Sequence, residues 1–239
     1  MPTNVTAEYA SAELEYEIRP DSGPSILLDK RHLVLRGEKA ADIMRFRDYS
    51  TRSLREFFFG REFTEVTPST IVQTQVEGGS TLFKFNYFND EAYLTQSSQL
   101  YLESVLPSFE KVFCVLPSFR AEKSRTRRHL TEYTHIEAEM AFMDFDGLLE
   151  FLEDMIIHVY KFAKNNVITN KFNASLEVPS KPFERISYEN AIDLLREYEI
   201  KGESDKYLEH GDDITEGPER TLVDKINRPV FLTFFPTGF

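Results

Sequence analysis

The sequence has almost no cysteine: Cys114 is the single one in 239 residues. One cysteine cannot form a disulfide within the chain, nor can it supply a cysteine-based zinc site. Cys114 lies in the apolar run 112–116, which favours a buried strand residue over a nucleophile or a metal ligand. A disulfide framework is therefore excluded.

Long apolar runs are also missing. No uninterrupted apolar segment approaches the length that spans a bilayer. Residues 1–17 are acidic and lack the basic stretch followed by an apolar one that characterises a secretory signal. These absences predict a cytoplasmic protein without a membrane partner.

Positive charge is scarce over the chain as a whole. There are 28 Lys and Arg against 40 Asp and Glu, which gives a net charge of -12 at pH 7. A protein that coats nucleic acid nonspecifically needs broad phosphate neutralisation, so that class is excluded and any nucleic-acid contact should be local. The length and the 41% hydrophobic content predict one main domain with a single sizeable core.

One loop departs from this acidic background. After residues 119–122 come Lys123, Arg125, Arg127 and Arg128, and residues 129–133 follow them. Positive charge concentrated between two strand-like runs suits a polyphosphate or the end of a nucleic acid. This loop is the first candidate for a binding site.

The segments beside the loop have strand periodicity. Residues 111–116 are predicted as a buried strand. From residue 133 onward, polar and apolar residues alternate, which predicts a second strand with one polar face formed by Tyr133, His135, Glu137 and Glu139.

Two helices are predicted upstream of the loop. One runs from capping serines at Ser97 to a stop at Pro107, and it places Gln99 and Glu103 four residues apart on one face. The other covers residues 43–58 and is expected to end in a left-handed turn at Gly60, before a short strand at 63–66.

These elements predict a site for ATP and an amino acid. The planar guanidinium of Arg120 can bind a phosphate through two N–H groups, and the Tyr133 ring can stack on a purine. Glu137 or Glu139 can bind an ammonium group. Each feature alone has a simpler interpretation: a solvated basic loop, the wet face of an antiparallel sheet, or the surface of a helix.

Four ordered blocks resemble a known family. Residues 60–68 resemble the first motif of the class II aminoacyl-tRNA synthetases, and residues 119–122 with the basic loop resemble the second. Residues 73–80 and 94–103, between the motifs, are similar to segments of the aspartyl/asparaginyl branch. The resemblance covers about residues 31–165, and within that branch it is greatest to the asparagine-specific enzymes of the cytoplasmic type.

The resemblance implies an α+β fold in which helices flank an antiparallel sheet. Residues 31–239 would be a catalytic domain that carries the first two motifs, and residues 1–30 a linker or the remnant of an N-terminal anticodon-binding domain. The third motif, a glycine-rich segment with an arginine for the triphosphate, has no counterpart, so the domain is expected to be incomplete at its C-terminus. The first motif implies a homodimer.

The resemblance also implies roles for individual residues. Arg120 would be the catalytic residue, binding the α-phosphate and the substrate carboxylate, and Tyr133 would stack on adenine. The implied ATP-binding residues are Arg120, Ala121, Glu122, Arg128, His129, Leu130 and Tyr133. The implied amino-acid-binding residues are Glu77 (in a closing loop with Gly78 and Gly79), Gln99, Leu102, Glu103, Arg120 and Glu137. No metal ligand is implied within the chain.

Specificity for asparagine would depend on Leu102 and Glu103. Aspartyl relatives place a lysine at the position of Leu102, where it pairs with the substrate carboxylate. Here a neutral Leu102 precedes Glu103, whose carboxylate can accept from an amide and repels aspartate.

The implied reaction uses ATP and Mg²⁺ to convert L-asparagine into an aminoacyl-adenylate, which is then transferred to the acceptor end of tRNA(Asn). Two alternatives stay open. The missing third motif favours a noncatalytic dimerisation or regulatory module. The missing anticodon module suggests a tRNA-independent paralogue resembling an asparagine synthetase, although Leu102 and Glu103 argue against aspartate as its substrate.

Overall fold

A computed structural model describes residues 18–19, 22–74, 82–122, 129–202 and 204–237 of the chain. In chain order, its helices are α1 (Pro24–Asp29), α2 (Arg31–Val34), α3 (Glu38–Phe59), α4 (Gln99–Phe109), α5 (Phe145–Lys164), α6 (Val167–Phe172), α7 (Tyr188–Glu197) and α8 (Glu216–Ile226). The strands are β1 (Thr64–Glu65), β2 (Ile71–Val72), β3 (Lys84–Tyr87), β4 (Asp90–Leu94), β5 (Lys111–Phe119), β6 (Glu132–Met140), β7 (Glu184–Ser187) and β8 (Val230–Thr233).

The long β5–β6 pair is the centre of the fold. The two strands are antiparallel and in register from Lys111 opposite Met140 to Phe119 opposite Glu132. β1 extends this sheet as a parallel neighbour of β5, and β2, β4 and β3 form a separate antiparallel sheet. The predicted α+β class, with an antiparallel sheet flanked by helices, is confirmed.

Aromatic residues cover one face of the central sheet. Phe113 of β5 is fully buried, and its ring stacks on that of Phe58 from α3 with centroids 4.6 Å apart. Phe57 and Phe63 complete this cluster, and Phe151 of α5 packs against it. Because α3 and α5 occupy this face, a binding site on the sheet would have to lie on the opposite one.

The end of α3 differs from the prediction. Gly60 has right-handed dihedral angles (φ -64, ψ -13), and the left-handed residue is Glu62, with φ 66. The backbone N–H of Phe63 donates to the carbonyl of Phe58 over 3.1 Å, and the two rings are 5.2 Å apart. The buried ring of Phe63 therefore decides where the chain reverses: α3 ends at Gly60 as predicted, but the predicted left-handed turn at Gly60 was wrong.

The predicted stop of α4 at Pro107 was also wrong, since the helix continues to Phe109. Proline removes its own N–H, but here it does so in the last turn of the helix. The next donors still find partners, because the N–H of Glu110 bonds to the carbonyl of Leu106 over 2.8 Å. The helix ends where Glu110 adopts φ 61.

A smaller α/β unit follows α6. Its parallel strands β7 and β8 pack with α7 and α8 around an apolar cluster that includes Tyr188 and Leu195. Glu153 of α5, 2% exposed, accepts a hydrogen bond from the backbone N–H of Phe183 over 3.0 Å and ties this unit to the rest. Within the described ranges, no helix is both long and apolar enough to cross a membrane.

Phe113→Ala should lower the free energy of unfolding by about 3–5 kcal/mol, because it deletes a fully buried ring and leaves a cavity under α3. Phe88→Ala is the control: that ring is 88% exposed, and its loss should change stability by less than about 0.5 kcal/mol. Urea unfolding of both variants measures the difference. Equal losses would contradict the core assignment of Phe113.

Candidate active site

The predicted polar face of β6 is confirmed. Residues opposite each other in an antiparallel pair project to the same side of the sheet. The open side of the sheet is the one away from α3 and α5, and α4 covers only its Val112 and Cys114 end. It carries the β6 residues Tyr133, His135, Glu137 and Glu139 and their β5 partners Ser118, Leu116, Cys114 and Val112.

Arg120 lies beside Tyr133 at one end of this face. It directly follows β5, and its backbone N–H donates to the carbonyl of Thr131 over 2.9 Å, which continues the pairing of the two strands. Its guanidinium carbon is 5.9 Å from the centroid of the Tyr133 ring. The structure thus brings the Arg120 guanidinium close to the Tyr133 ring, as the sequence predicted.

The residues next to Arg120 are more open. Glu122 is half-buried, and its Oε2 lies 3.9 Å from Nε2 of His129. Leu130 is 64% exposed. Two other residues implied by the resemblance, Arg128 and Glu77, lie outside the described residues.

Glu137 binds the N-terminus of α4 at the other end of the face. Its Oε1 and Oε2 accept from the backbone N–H of Ser98 over 3.1 and 2.9 Å, and Oε1 also accepts from the hydroxyl of Ser97. A carboxylate is favoured there by the unpaired N–H groups and the dipole of a helix N-terminus. One predicted serine cap is confirmed, since the Ser97 hydroxyl accepts from the backbone N–H of Gln99 over 3.1 Å, whereas Ser98 makes no side-chain cap.

The contact with Glu137 positions the first turn of α4. Gln99 and Glu103 lie on one face as predicted, and the Gln99 amide donates to Oε1 of Glu103 over 2.8 Å. Leu102 is fully buried against Val112 and Cys114. Leu102 therefore packs in the core and brings no charge there.

Glu139, which the sequence offered beside Glu137 as a group that could hold an ammonium, lies next to other carboxylates. Burial raises the pKa of its carboxyl above the ordinary value, and the carboxylates of Glu103 and Glu137 raise this pKa further. Glu103 of α4 and Glu137 of β6 thus both act on Glu139 at the Glu137 end of the face. The alternation of polar and apolar residues in the sequence placed Glu137 and Glu139 on one face. The position of Glu103 near Glu139 depends instead on how α4 packs on the sheet.

The described residues contain no group of three or more His, Cys, Asp or Glu side chains arranged to hold a metal ion. The site that they form combines a cation and an aromatic ring at one end with carboxylates at the other. Such a face is suited to a ligand that has an anionic, aromatic portion and an ammonium group.

The fold is that found in aminoacyl-tRNA synthetases. The chain belongs to the family described as class II tRNA synthetases (D, K and N), whose family model matches residues 23–239. It is 49% identical over 222 residues to the cytoplasmic asparagine–tRNA ligase of Homo sapiens and 49% identical over 224 residues to that of Saccharomyces cerevisiae. These matches cover 92% of this chain and 40% of each relative, so the chain spans less than half of their length.

Solved structures agree with this assignment. The asparaginyl-tRNA synthetase of Entamoeba histolytica matches with a TM-score of 0.85 and 44% identity, over 92% of this chain and 50% of that one. The Pyrococcus horikoshii asparaginyl-tRNA synthetase complexed with asparaginyl-adenylate matches with a TM-score of 0.78 and 38% identity, over 90% of this chain and 49% of that one. The resemblance seen in the sequence is confirmed.

Glu139→Gln should stabilise the protein more at pH 7.5 than at pH 4. A raised pKa in the folded state means that Glu139 favours folding below its ordinary value of 4.5 and loses that contribution as pH rises through the folded pKa. Glutamine cannot ionise, so the variant keeps this stabilising contribution at both pH values. The control is Glu132→Gln, at an exposed position on the opposite face of β6. Urea unfolding at both pH values tests this, and equal effects at both would contradict it.

Proposed function

We propose that this chain activates L-asparagine with ATP to form asparaginyl-adenylate and transfers the asparaginyl group to the acceptor end of tRNA(Asn). The observation that carries the proposal is the β6 face, where Arg120 and Tyr133 lie at one end and Glu137 at the other. A related structure holds asparaginyl-adenylate, whose phosphate, adenine and ammonium groups match these three side chains in chemical type.

The cation end of the face would bind ATP. Arg120 would contact the α-phosphate, Tyr133 would stack on adenine, and the backbone and side chains of residues 121–122 and 128–130 would complete the nucleotide site. Mg²⁺ would enter bound to the ATP phosphates. The Tyr133 ring and the Arg120 guanidinium lie close together, which supports this assignment.

The carboxylate end would bind the amino acid. A carboxylate has about four acceptor positions, so Glu137 can hold the substrate ammonium while it keeps its bonds to Ser97 and Ser98. Gln99 begins the helix that Glu137 anchors and is exposed beside it. Glu77 would close over the substrate.

Adenylate formation would need no protein nucleophile. The carboxylate oxygen of asparagine forms a bond to the α-phosphorus in line with the bond that breaks, and pyrophosphate leaves with that electron pair. Arg120 would orient the two anions and stabilise the charge that develops between them. A terminal ribose hydroxyl of tRNA would then displace AMP from the adenylate.

Selection against aspartate would come from Glu103. Its carboxylate is fixed by the bond from Gln99, and Glu137 and Glu139 add to the negative potential there. An asparagine amide can donate to this group, whereas an aspartate carboxylate is repelled.

The remaining assignments are also proposals. Residues 31–239 would act as the catalytic domain, with residues 1–30 as a linker or domain remnant. The protein would work in the cytoplasm, as the names of its relatives indicate. A homodimer would form through the first motif and α3, where Ile43 and Met44 are 51% and 48% exposed.

Asparagine-dependent exchange between ATP and pyrophosphate should be detectable with the wild-type chain and absent with aspartate. Arg120→Ala should reduce the exchange rate by at least about 10²-fold, since it removes a contact to developing charge. Arg220→Ala, at an exposed arginine of α8 that pairs with Glu216, is the matched control. Exchange with neither amino acid would reject the proposed activity of this chain and leave a binding or dimerisation module.

Glu103→Gln should reduce discrimination between asparagine and aspartate by roughly 10-fold, because Glu103 is exposed and solvent screens part of its charge. The ratio of kcat/KM for the two amino acids in the exchange assay measures this change. Glu56→Gln, at an exposed position of α3, should leave the ratio unchanged. Unaltered discrimination in the Glu103 variant would mean that other residues determine the preference for asparagine.

A further inference from the structure

His135 lies in the middle of the polar face, between the two groups that the proposed function uses. Tyr133, His135 and Glu137 occupy alternate positions of β6, so their side chains follow one another on one side of the sheet at intervals of about 7 Å. Arg120 lies beyond Tyr133. Along the face, the Arg120 guanidinium and the Tyr133 ring therefore come first, the His135 imidazole next and the Glu137 carboxylate last.

The imidazole ring is held in place through one of its nitrogens. Nδ1 lies 3.0 Å from the hydroxyl oxygen of Ser118 and 3.3 Å from Oε2 of Glu137. Ser118 is 1% exposed, and the Tyr133 ring packs beside the imidazole with centroids 5.3 Å apart. In the described part of the chain, both polar contacts of the ring are made by Nδ1.

The other ring nitrogen, Nε2, is placed to meet a ligand. The His135 side chain is 28% exposed on the face that α3 and α5 leave open. The Ser118 hydroxyl can donate to Nδ1, which puts the proton of a neutral ring on Nε2. A ring protonated at both nitrogens can donate from Nδ1 to Glu137 and also donates from Nε2.

We propose that His135 is a substrate-binding residue whose Nε2–H donates to the anionic centre of an aminoacyl-adenylate lying along β6. The inference rests on the proposed function. An adenylate has its base at one end, its ammonium group at the other and its phosphate between them. With adenine at Tyr133 and ammonium at Glu137, the phosphate and the atoms bonded to it lie over His135.

This assignment gives Ser118 a separate role. Ser118 is too buried to touch the ligand and acts through the ring that it holds, so it is a positioning residue for His135. Arg120 then binds the anionic centre from the Tyr133 side, while His135 binds it from the surface of the sheet.

Amide substitutions separate the two ring nitrogens. His135→Asn keeps a polar atom near the Nδ1 position, where it can meet Ser118, but does not reach the Nε2 position. His135→Gln reaches that position and can donate there. Binding of a non-hydrolysable sulfamoyl analogue of asparaginyl-adenylate, measured by titration calorimetry on the full chain, reports the contact directly.

We expect the Asn variant to bind the analogue roughly 10-fold to 100-fold more weakly than wild type, and the Gln variant to stay within a few-fold, as suits a hydrogen bond to a charged group. Ser118→Ala should weaken binding several-fold with His135 present and have little effect in the His135→Gln background. His32→Asn, on the exposed surface of α2, is the control, and thermal unfolding midpoints identify any variant that is misfolded.

The outcomes distinguish the inference from the proposed function. Absence of binding by the wild-type chain would reject both. Wild-type affinity in the Asn variant, or equal losses in the Asn and Gln variants with unchanged unfolding midpoints, would overturn the Nε2 contact and leave the proposed function intact.

Discussion

The antiparallel register between β5 and β6 is the constraint on which the rest of the structure depends. It holds from Lys111 opposite Met140 to Phe119 opposite Glu132. A slip of one residue would exchange the two faces of a strand, because side chains alternate. Such a slip in β6 would turn Ile136 toward the open face and bury Glu137 against α3. Core packing and the site are therefore fixed by the same hydrogen bonds.

Glu137 connects this sheet to the helix that carries the amino-acid side of the site. Its carboxylate accepts from the Ser98 backbone and the Ser97 hydroxyl, and its side chain is 11% exposed. Partly buried charge is stable there because N–H donors and the helix dipole compensate for lost water. The same carboxylate lies beside His135, so one residue influences the helix, the imidazole and the ammonium position.

The face is electrically polarised, although the chain as a whole is strongly acidic. Arg120 occupies one end with Tyr133, whereas Glu103 and Glu137 act on Glu139 at the other end. An adenylate carries its phosphate and its ammonium at separate points, so a polarised face favours one orientation of the ligand over the reverse. Placing Glu103 at the acidic end also makes a second carboxylate on the substrate unfavourable.

The sequence by itself determined the periodicity of this protein and the types of its site residues. Alternation in residues 133–140 assigned Tyr133, His135, Glu137 and Glu139 to one face, and the spacing of Gln99 and Glu103 put both on one side of α4, because both patterns follow from local backbone geometry. Tertiary structure decided the rest. The chain reverses at Glu62 because Phe63 packs on Phe58, α4 starts where Glu137 binds it, and the ring of His135 is set by Ser118. These contacts join residues distant in sequence or depend on which side chains become buried, and no local pattern records them.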